Sequence, residues 1–327
     1  WSAAVRPYGN ETATFNGPGN GKTAINLRKL GASALAIRDV VFTSPGCAAY
    51  TLGDAAGQMF WFMNSGTLTI DADVANDQII GKAGVTIRYG NNVAANTTIK
   101  LINKSPVARL LLNGENQFLA ATAPSIYVGL RFEGVGDTTF NQRLTTNGTM
   151  RVYLYNHNTG TITLAGAGES RINYLYTMNA NASPGNTRVV LGSGAELFID
   201  WGSADYSIWH EGDGVIEGAG TLRFGTGTGE NFARVYVKTG STLTLRAPLT
   251  SAGGLDMRST TSGGGTLVLD CINTMASNLV NSSMGSIRVA KIGNRGSTDS
   301  NVGCGQRIRF SVSGAWLIYT GLGETTD

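Results

Sequence analysis

A short phrase recurs along this chain: a small residue, a glycine, then four to six residues in which apolar and polar β-formers alternate. Clear copies are SGTLTID (65–71), TGTITLAG (159–166), SGAELFID (193–200), AGTLRFG (219–225), TGSTLTLRA (239–247), GGTLVLD (264–270), MGSIRVA (284–290) and SGAWLIYTG (313–321). Each copy is typical of a short strand entered through a glycine turn. The alternation turns one side of each strand, such as Leu243 and Leu245, towards a core.

The spacing of these copies narrows the choice of fold. The later copies begin roughly 20 to 29 residues apart, and self-similarity at such a period indicates a solenoid. A β-sandwich or barrel instead needs hairpins with turn signals about every 8–12 residues. We therefore predict an all-β chain, a right-handed parallel β-helix with irregular loops, over residues 1–327 as a single elongated domain. Turns of about 22 residues are expected.

Composition agrees with this class of fold and limits the partners. The 327 residues include 45 glycines, and the chain is 42% hydrophobic but only 14% charged, with a net charge of +3. So small a charge, without basic runs, gives no reason to expect binding to nucleic acid or to an anionic membrane. No apolar run long enough for a membrane helix and no signal peptide is found. We interpret the chain as processed, or as a piece of a longer protein.

One stretch resembles a phosphate-binding loop. Residues 17–23 read GPGNGKT, but the signature needs a glycine five positions before Gly21, where Asn16 stands. The residues that follow alternate like a strand, whereas a phosphate loop opens a helix. The favoured interpretation is a glycine-rich corner in which Gly17, Gly19 and Gly21 supply positive φ or close backbone stacking, with Lys22 in solvent.

The spacing of the cysteine, histidine and acidic residues gives little support for a metal or redox site. The three cysteines, Cys47, Cys271 and Cys304, have no CxxC spacing. Cys271 and Cys304 are candidates to pair, but buried free thiols are favoured. The two histidines, His157 and His210, lack metal-ligand spacing, and the acidic pair Asp71 and Asp73 is only a weak calcium signal. No cofactor and no metal are predicted.

The C-terminal stretch is the most specific. It contains GGTLVLD from Gly264, the pair Asn273-Thr274, GSIRV from Gly285, IGN at 292–294 and YTG at 319–321. In this order it resembles the autotransporter-associated β-strand repeat (the passenger-associated transport repeat), best matched over residues 263–327. ATFNGPGNGKTAINL and SGTLTIDADV resemble the segment that often precedes such repeats. The middle, about 91–260, is similar in style only.

The resemblance implies a right-handed parallel β-helix of the passenger type, exported past an outer membrane and either displayed at the cell surface or released. Two departures mark a specialised member. The family's central turn, Asn-Thr-Tyr-x-Gly, is replaced here by Asn273-Thr274-Met275-Ala276-Ser277. Corner positions that are often small carry Cys271 and Cys304.

The densest polar cluster lies between residues 200 and 213. It contains Trp201, Tyr206 and Trp209 together with Asp200, Asp205, His210, Glu211 and Asp213. Glycoside hydrolysis needs two carboxylates at a defined separation, and Asp205, Glu211 or Asp213 are the candidates for acid or base. The alternative, which we favour, is a loop whose aromatic residues cover the core edge while its charges are solvated. No catalytic residue is assigned.

Two further aromatic groups stand out. Met59-Phe60-Trp61-Phe62-Met63 is a continuous apolar run, typical of a strand covered on both sides, although an exposed partner-binding patch is the alternative. Tyr153, Tyr155, Tyr174 and Tyr176 alternate on two strands. They predict a stacked ladder on one face, either structural or a platform for carbohydrate.

These observations predict an extracellular or cell-surface structural segment, such as a stalk, an adhesin or part of a surface polymer. Self-association end to end into filaments, or packing against neighbouring repeats of a longer chain, follows from the open strand edges of a solenoid. Two alternatives remain: a polysaccharide-degrading lyase or glycosidase, and a module that binds a glycan or host surface. An enzyme is not the favoured interpretation.

Overall fold

The computed structural model describes residues 9–27, 35–90, 95–118, 126–146, 151–178, 187–200, 206–225, 233–251, 253–259, 264–275, 279–294, 300–303, 307–310 and 313–322. The chain divides into two compact units, Trp1–Gly166 and Ala167–Asp327. The helical content of the described residues is one 3₁₀ turn, Gly19–Gly21; the other elements are strands.

The described residues of unit 1 form fifteen strands. They are β1 Gly9–Phe15, β2 Ala24–Ile25, β3 Leu35–Phe42, β4 Thr51–Leu52, β5 Met59–Ile70, β6 Gln78–Ile80, β7 Thr86–Tyr89, β8 Thr97–Asn103, β9 Leu110–Leu112, β10 Glu115–Phe118, β11 Tyr127–Gly134, β12 Thr138–Phe140, β13 Leu144–Thr146, β14 Arg151–Asn158 and β15 Thr161–Leu164.

In unit 2, the part of the chain that the structure describes forms sixteen strands. They are β16 Gly168–Ile172, β17 Tyr174–Met178, β18 Thr187–Leu191, β19 Ala195–Ile199, β20 Ile208–Glu211, β21 Asp213–Gly218, β22 Thr221–Phe224, β23 Ala233–Val237, β24 Thr242–Leu245, β25 Leu249–Ser251, β26 Leu255–Arg258, β27 Thr266–Leu269, β28 Leu279–Ser283, β29 Ser286–Val289, β30 Arg307–Phe310 and β31 Trp316–Tyr319.

Unit 1 is a solenoid with three faces, each a parallel sheet. Face A contains β1, β3, the second half of β5, β8, β11 and β14. Face B contains β2, β4, β6, β9, β12 and β15. Face C contains the first halves of β3 and β5, followed by β7, β10 and β13. The chain visits the faces in rotation, so each turn pairs with the turn before it.

Unit 2 repeats the same arrangement. Its face D contains β17, β20, β23, β26, β28 and β30. Face E contains β18, β21, β24, β27, β29 and β31. Face F contains β16, β19, β22 and β25. The predicted all-β parallel β-helix is therefore confirmed.

The turns are less regular than expected, and most of them are longer. In unit 1, the turn that pairs Thr139 with Thr163 is shorter than the turn that pairs Ile79 with Leu111. In unit 2, Val289 pairs with Leu269 of the turn before and with the more distant Tyr319 of the turn after. The prediction of about 22 residues a turn was too short for most turns, because a full turn needs three strands and three corners.

The interior is filled by columns of side chains that stack turn on turn. On face C, Phe62, Tyr89 and Phe118 occupy equivalent positions in β5, β7 and β10, and all three side chains are fully buried. The ring centroids of Phe62 and Tyr89 are 5.7 Å apart, and those of Tyr89 and Phe118 are 5.0 Å apart. The strict burial alternation of strands such as β15 and β24 follows the period of two seen in the sequence.

Buried amide side chains hold the corners. The Asn103 side chain is buried, and its Nδ2 donates to the backbone oxygens of Ala108 and of Asp137, the latter one turn further on. In unit 2, Asn273 Nδ2 donates to the backbone oxygen of Asn301 at 3.1 Å. Such bonds satisfy carbonyl groups that the sheets leave unpaired at the bends.

The glycine-rich stretch at 17–23 is a corner, as expected. Gly19 and Gly21 have φ values of +71° and +76°, which residues other than glycine rarely adopt. Lys22 is exposed. Gly17 differs from the prediction, because its φ is not positive and an added Cβ would meet nothing within 4 Å.

Candidate functional site

The polar cluster predicted between residues 200 and 213 is spread over the corners of unit 2. Asp200 follows β19 on face F, whereas Glu211 and Asp213 flank the corner between faces D and E. Residues 201–205, and with them Trp201 and Asp205, lie outside the described residues. The structure therefore does not bring Asp200 together with Glu211 and Asp213 on one face.

Each described carboxylate of this cluster has a partner. Asp200 forms an ion pair with Arg171. Asp213 Oδ1 accepts the backbone N–H of Thr242 at 3.0 Å. Glu211 accepts from Lys238 Nζ at 2.8 Å and from Trp209 Nε1 at 2.9 Å. These contacts give the carboxylates roles in joining neighbouring turns.

The partners of Glu211 also decide its protonation. Burial alone would raise the pKa of Glu211, but the hydrogen bonds from Lys238 and Trp209 outweigh burial, and the pKa lies below its ordinary value. A general acid needs the opposite shift. Glu211 is therefore ionised at neutral pH.

His210 lies inside the solenoid. Its side chain is fully buried in the face D column between Thr177 and Val237. Nε2 lies 3.1 Å from the Thr242 carbonyl oxygen and Nδ1 lies 2.6 Å from Thr177 Oγ1. A neutral ring fits both contacts, with Nε2–H donating to the carbonyl and Nδ1 accepting from the hydroxyl. Burial lowers the pKa of His210 to about 4, although hydrogen bonds and the nearby Asp213 and Glu211 act in the other direction.

We expect His210 to make unit 2 sensitive to acid. Its folded pKa of about 4 is below the ordinary 6.5, so the unfolded chain takes up the proton first, and stability falls as the pH drops from about 6.5 to about 4. The difference between the two pKa values corresponds to about 3 kcal/mol. Chemical denaturation of the native chain and of His210→Gln at several pH values measures this. The difference in unfolding free energy between the two proteins gives the contribution of His210. If this difference does not change with pH, the lowered pKa of His210 is contradicted.

The outer side of face D carries an aromatic column. Tyr176, Trp209 and Tyr236 are register partners on β17, β20 and β23. The ring centroids of Trp209 and Tyr236 are 3.9 Å apart, those of Tyr176 and Trp209 are 6.0 Å apart, and both pairs are stacked. Tyr206 packs edge-on against Trp209 at 5.1 Å. Burial, together with Glu211 and Tyr236, raises the pKa of Tyr176 to about 12.

This column favours the structural interpretation of the aromatic ladder. A carbohydrate platform presents ring faces to the solvent, whereas here the rings of adjacent turns cover one another. The half-buried Tyr174 lies 5.9 Å from Tyr176 and is tilted against it. The ladder therefore ties turns together in the same way as the rings inside the core.

A second aromatic group lies on face A of unit 1. Tyr153 stacks on Tyr127 with centroids 4.4 Å apart, while Tyr155 meets Tyr153 and His157 edge-on. An added Cβ on Gly129 would lie 2.8 Å from the Tyr155 ring, so the glycine makes room for it. The predicted alternation of Tyr153 and Tyr155 on one strand is seen in β14.

We predicted that the run from Met59 to Met63 is covered on both sides, but in the structure its inward side alone is buried. Phe60 and Phe62 point into the core, whereas Met59, Trp61 and Met63 point outwards and are half-buried. The guanidinium of Arg88 lies 5.9 Å from the Trp61 ring centroid. The side chains of this run thus alternate between the core and the outside, as in other strands, but the outward ones are also apolar.

A polar cleft on face C of unit 1 was missed by the sequence reasoning. It has a volume of about 510 Å³ and is lined by Glu115, Gln117, Gln142, Arg143, Thr145 and Thr146. These residues belong to β10, β13 and the corner before β13. No local motif marks them, since the two parts of the lining come from successive turns.

The described thiols and several acidic groups have positions that differ from those of metal ligands. Cys47 and Cys271 are buried free thiols, and burial, with a smaller effect of Asp270, raises the pKa of Cys271 to about 12. Cys304 lies outside the described residues. Asp71 pairs with Lys104 at 3.1 Å. Among the residues that the structure describes, no group of three or more candidate ligands is assembled, and no helix is long and apolar enough to span a membrane.

Comparison of the chain with protein-family models, with curated proteins and with solved structures finds no match. The resemblance of residues 263–327 to the autotransporter-associated repeat therefore stays a prediction from the residues themselves.

Proposed function

We propose that this chain is a structural segment of an extracellular or cell-surface protein, a stalk or adhesin whose solenoid extends and displays what is attached to it. The observation that carries the proposal is an ion-pair chain along face E. Arg188 pairs with Glu217 at 2.5 Å, Glu217 with Arg246 at 3.4 Å, and Arg246 with Asp270 at 3.2 Å. The four side chains come from four successive turns.

A second chain of contacts supports it on face F. The Phe198 ring lies between two guanidinium groups, that of Arg223 at 3.7 Å and that of Arg171 at 5.1 Å. Arg223 also forms ion pairs with Glu169 and Glu196. The outside of unit 2 is thus tied from turn to turn on face F as it is by ion pairs on face E and by stacked rings on face D.

Such ties suit a protein that bears load or holds an extended form. A solenoid contacts only its neighbouring turns, so its rigidity depends on the strength of each successive interface. Single surface ion pairs contribute about 0–1 kcal/mol each, but networks that share a residue are more favourable.

The expected location is the outside of the cell. Immunogold labelling with antibodies against this chain should decorate intact source cells, because the proposed segment is exported. Labelling that requires permeabilised cells would overturn the extracellular part of the proposal. Turnover of plant or microbial polysaccharides that is lost in Glu211→Gln would overturn the structural part in favour of an enzyme.

Assembly is tested separately. Open strand edges at the ends of a solenoid favour stacking of one copy on another, so negative-stain electron microscopy should show filaments that lengthen with protein concentration. Monodisperse single particles at the highest concentration, with the matching mass by light scattering, would contradict end-to-end association.

A further inference from the structure

The cleft on face C of unit 1 has the dimensions of a ligand site. Its volume of about 510 Å³ lies within the range of roughly 300–1,000 Å³ that small-molecule sites occupy. The cleft is lined by β10, β13 and the corner before β13, and β7 lies next to β10 in the same sheet, so that at about 4.8 Å per strand the three strands span about 10 Å. A short oligomer laid across the strands fits this length.

The lining selects a polar and uncharged ligand. Each described lining side chain carries a hydrogen-bonding group, and among them the carboxylate of Glu115 is balanced by the guanidinium of Arg143. A wall whose described side chains are polar offers little to an apolar ligand. The balanced charge of these described residues offers little to a polyanion.

Glu115 and Arg143 have unused hydrogen-bonding capacity. Asn116 and Leu144 are register partners, so Glu115, at the start of β10, and Arg143, just before β13, stand side by side. Both side chains are exposed. Within the described part of the chain, neither takes part in an ion pair. A carboxylate that accepts and a guanidinium that donates therefore face the same cleft.

Several lining groups are held in place. Arg88 Nε donates to Gln117 Oε1 at 3.4 Å, and Thr145 Oγ1 donates to the backbone oxygen of Asn116 at 2.9 Å. The buried Asn116 Nδ2 donates to the backbone oxygen of Gln142 at 3.1 Å, which fixes one wall to the core. Preorganised polar groups of this kind lose little freedom on binding.

The row of outward side chains continues beyond the cleft. Trp61, Arg88, Gln117 and Thr145 are register partners on four successive strands. The half-buried Trp61 indole therefore lies two strands away from Gln117, with Arg88 between them. The amides, hydroxyls and charged pair of the cleft suit the hydroxyl groups on the edges of sugars. The Trp61 ring, about 10 Å further along the sheet, suits an apolar sugar face beyond the cleft.

We propose that this cleft binds a short neutral oligosaccharide, with Glu115 accepting from and Arg143 donating to its hydroxyl groups. The site goes beyond the structural role proposed above and does not depend on it. The two proposals fail independently. Immunogold labelling tests the extracellular location, and the titration below tests glycan binding.

The test is calorimetric titration of the purified full chain with maltotriose, cellotriose, mannotriose and N-acetylchitotriose, and with trigalacturonate as the acidic comparison. At least one neutral trisaccharide should bind, and Arg143→Ala and Glu115→Gln should each weaken its binding at least tenfold. Lys100→Ala, which removes an exposed cation on face A of the same unit, should bind as the native chain does.

Three results would overturn the proposal. They are no binding of any neutral probe at millimolar concentration, binding that survives both Arg143→Ala and Glu115→Gln, and a preference for trigalacturonate that depends on Arg143. Both substituted side chains are exposed, so the variants should keep the native circular dichroism spectrum. Retained folding separates loss of the site from loss of structure.

Discussion

Replacing Gly218 by alanine is expected to destabilise unit 2 by about 3–5 kcal/mol. Gly218 ends β21 with a φ of +117°, and a Cβ added there would overlap the Leu191 carbonyl oxygen and lie 2.9 Å from the Leu191 nitrogen. Both atoms are backbone of the previous turn, so they cannot rotate away as the end of a side chain would. The substitution therefore strains one corner and pushes two turns apart.

Gly240→Ala provides the matched control. Gly240 also has a positive φ, +76°, but an added Cβ there meets nothing within 4 Å. The control carries backbone strain without a contact, about 1–2 kcal/mol, and the difference between the two variants measures the contact between turns together with the extra strain of the larger φ at Gly218. Chemical denaturation followed by circular dichroism supplies both values. Equal losses would show that the close approach of the turns at Gly218 contributes nothing.

The strands were predictable because their signal is local. TLTL at 242–245 and TLVL at 266–269 have the alternation expected of half-buried strands, and in the structure Leu243, Leu245, Leu267 and Leu269 are the buried positions. Parallel stacking followed from the repetition of the phrase. Neither inference needs knowledge of distant contacts.

The corners were not predictable in the same way. Strand β5 bends near Ser65, which has a φ of +60°, so its first half belongs to face C and its second half to face A. The Ser65 backbone N–H donates to the Thr97 hydroxyl one turn later, at 2.9 Å. The phrase SGTLTID predicted a turn at residues 65–66, but the change of face within one continuous strand depends on the contact with the next turn, which the local sequence does not show.

Because local sequence does not show where the corners lie, it also did not show which candidate site residues would come together. Residues 200–213 are neighbours in sequence, but corners distribute Asp200 and Glu211 to different faces. Glu115 and Arg143 are far apart in sequence and are brought together by the turn that pairs Asn116 with Leu144. A turn of about 22 residues would have placed Asp137 beside Glu115 instead. Predicting a site on a solenoid therefore requires the length of each turn.

Tyr89→Ala is expected to cost unit 1 about 3–5 kcal/mol, the range for removing a buried aromatic ring. Tyr89 is fully buried and stacks between Phe62 and Phe118. Truncation leaves a cavity in the middle of the face C column, and the stacked neighbours are fixed to their own strands. A loss below about 2 kcal/mol in chemical denaturation would mean that the column collapses into the space.

Tyr89→Phe separates the ring from its hydroxyl. The hydroxyl donates to Asn116 Oδ1 at 2.8 Å, and Asn116 Nδ2 bonds to the backbone oxygens of Gly114 and Gln142. Without the hydroxyl, a buried acceptor loses this donor, which costs about 1–3 kcal/mol, less than the alanine variant. Because Asn116 anchors Gln142 at the wall of the cleft, amide hydrogen exchange near Gln142 should also quicken in Tyr89→Phe. Unchanged exchange there would show that the core and the cleft wall are held independently.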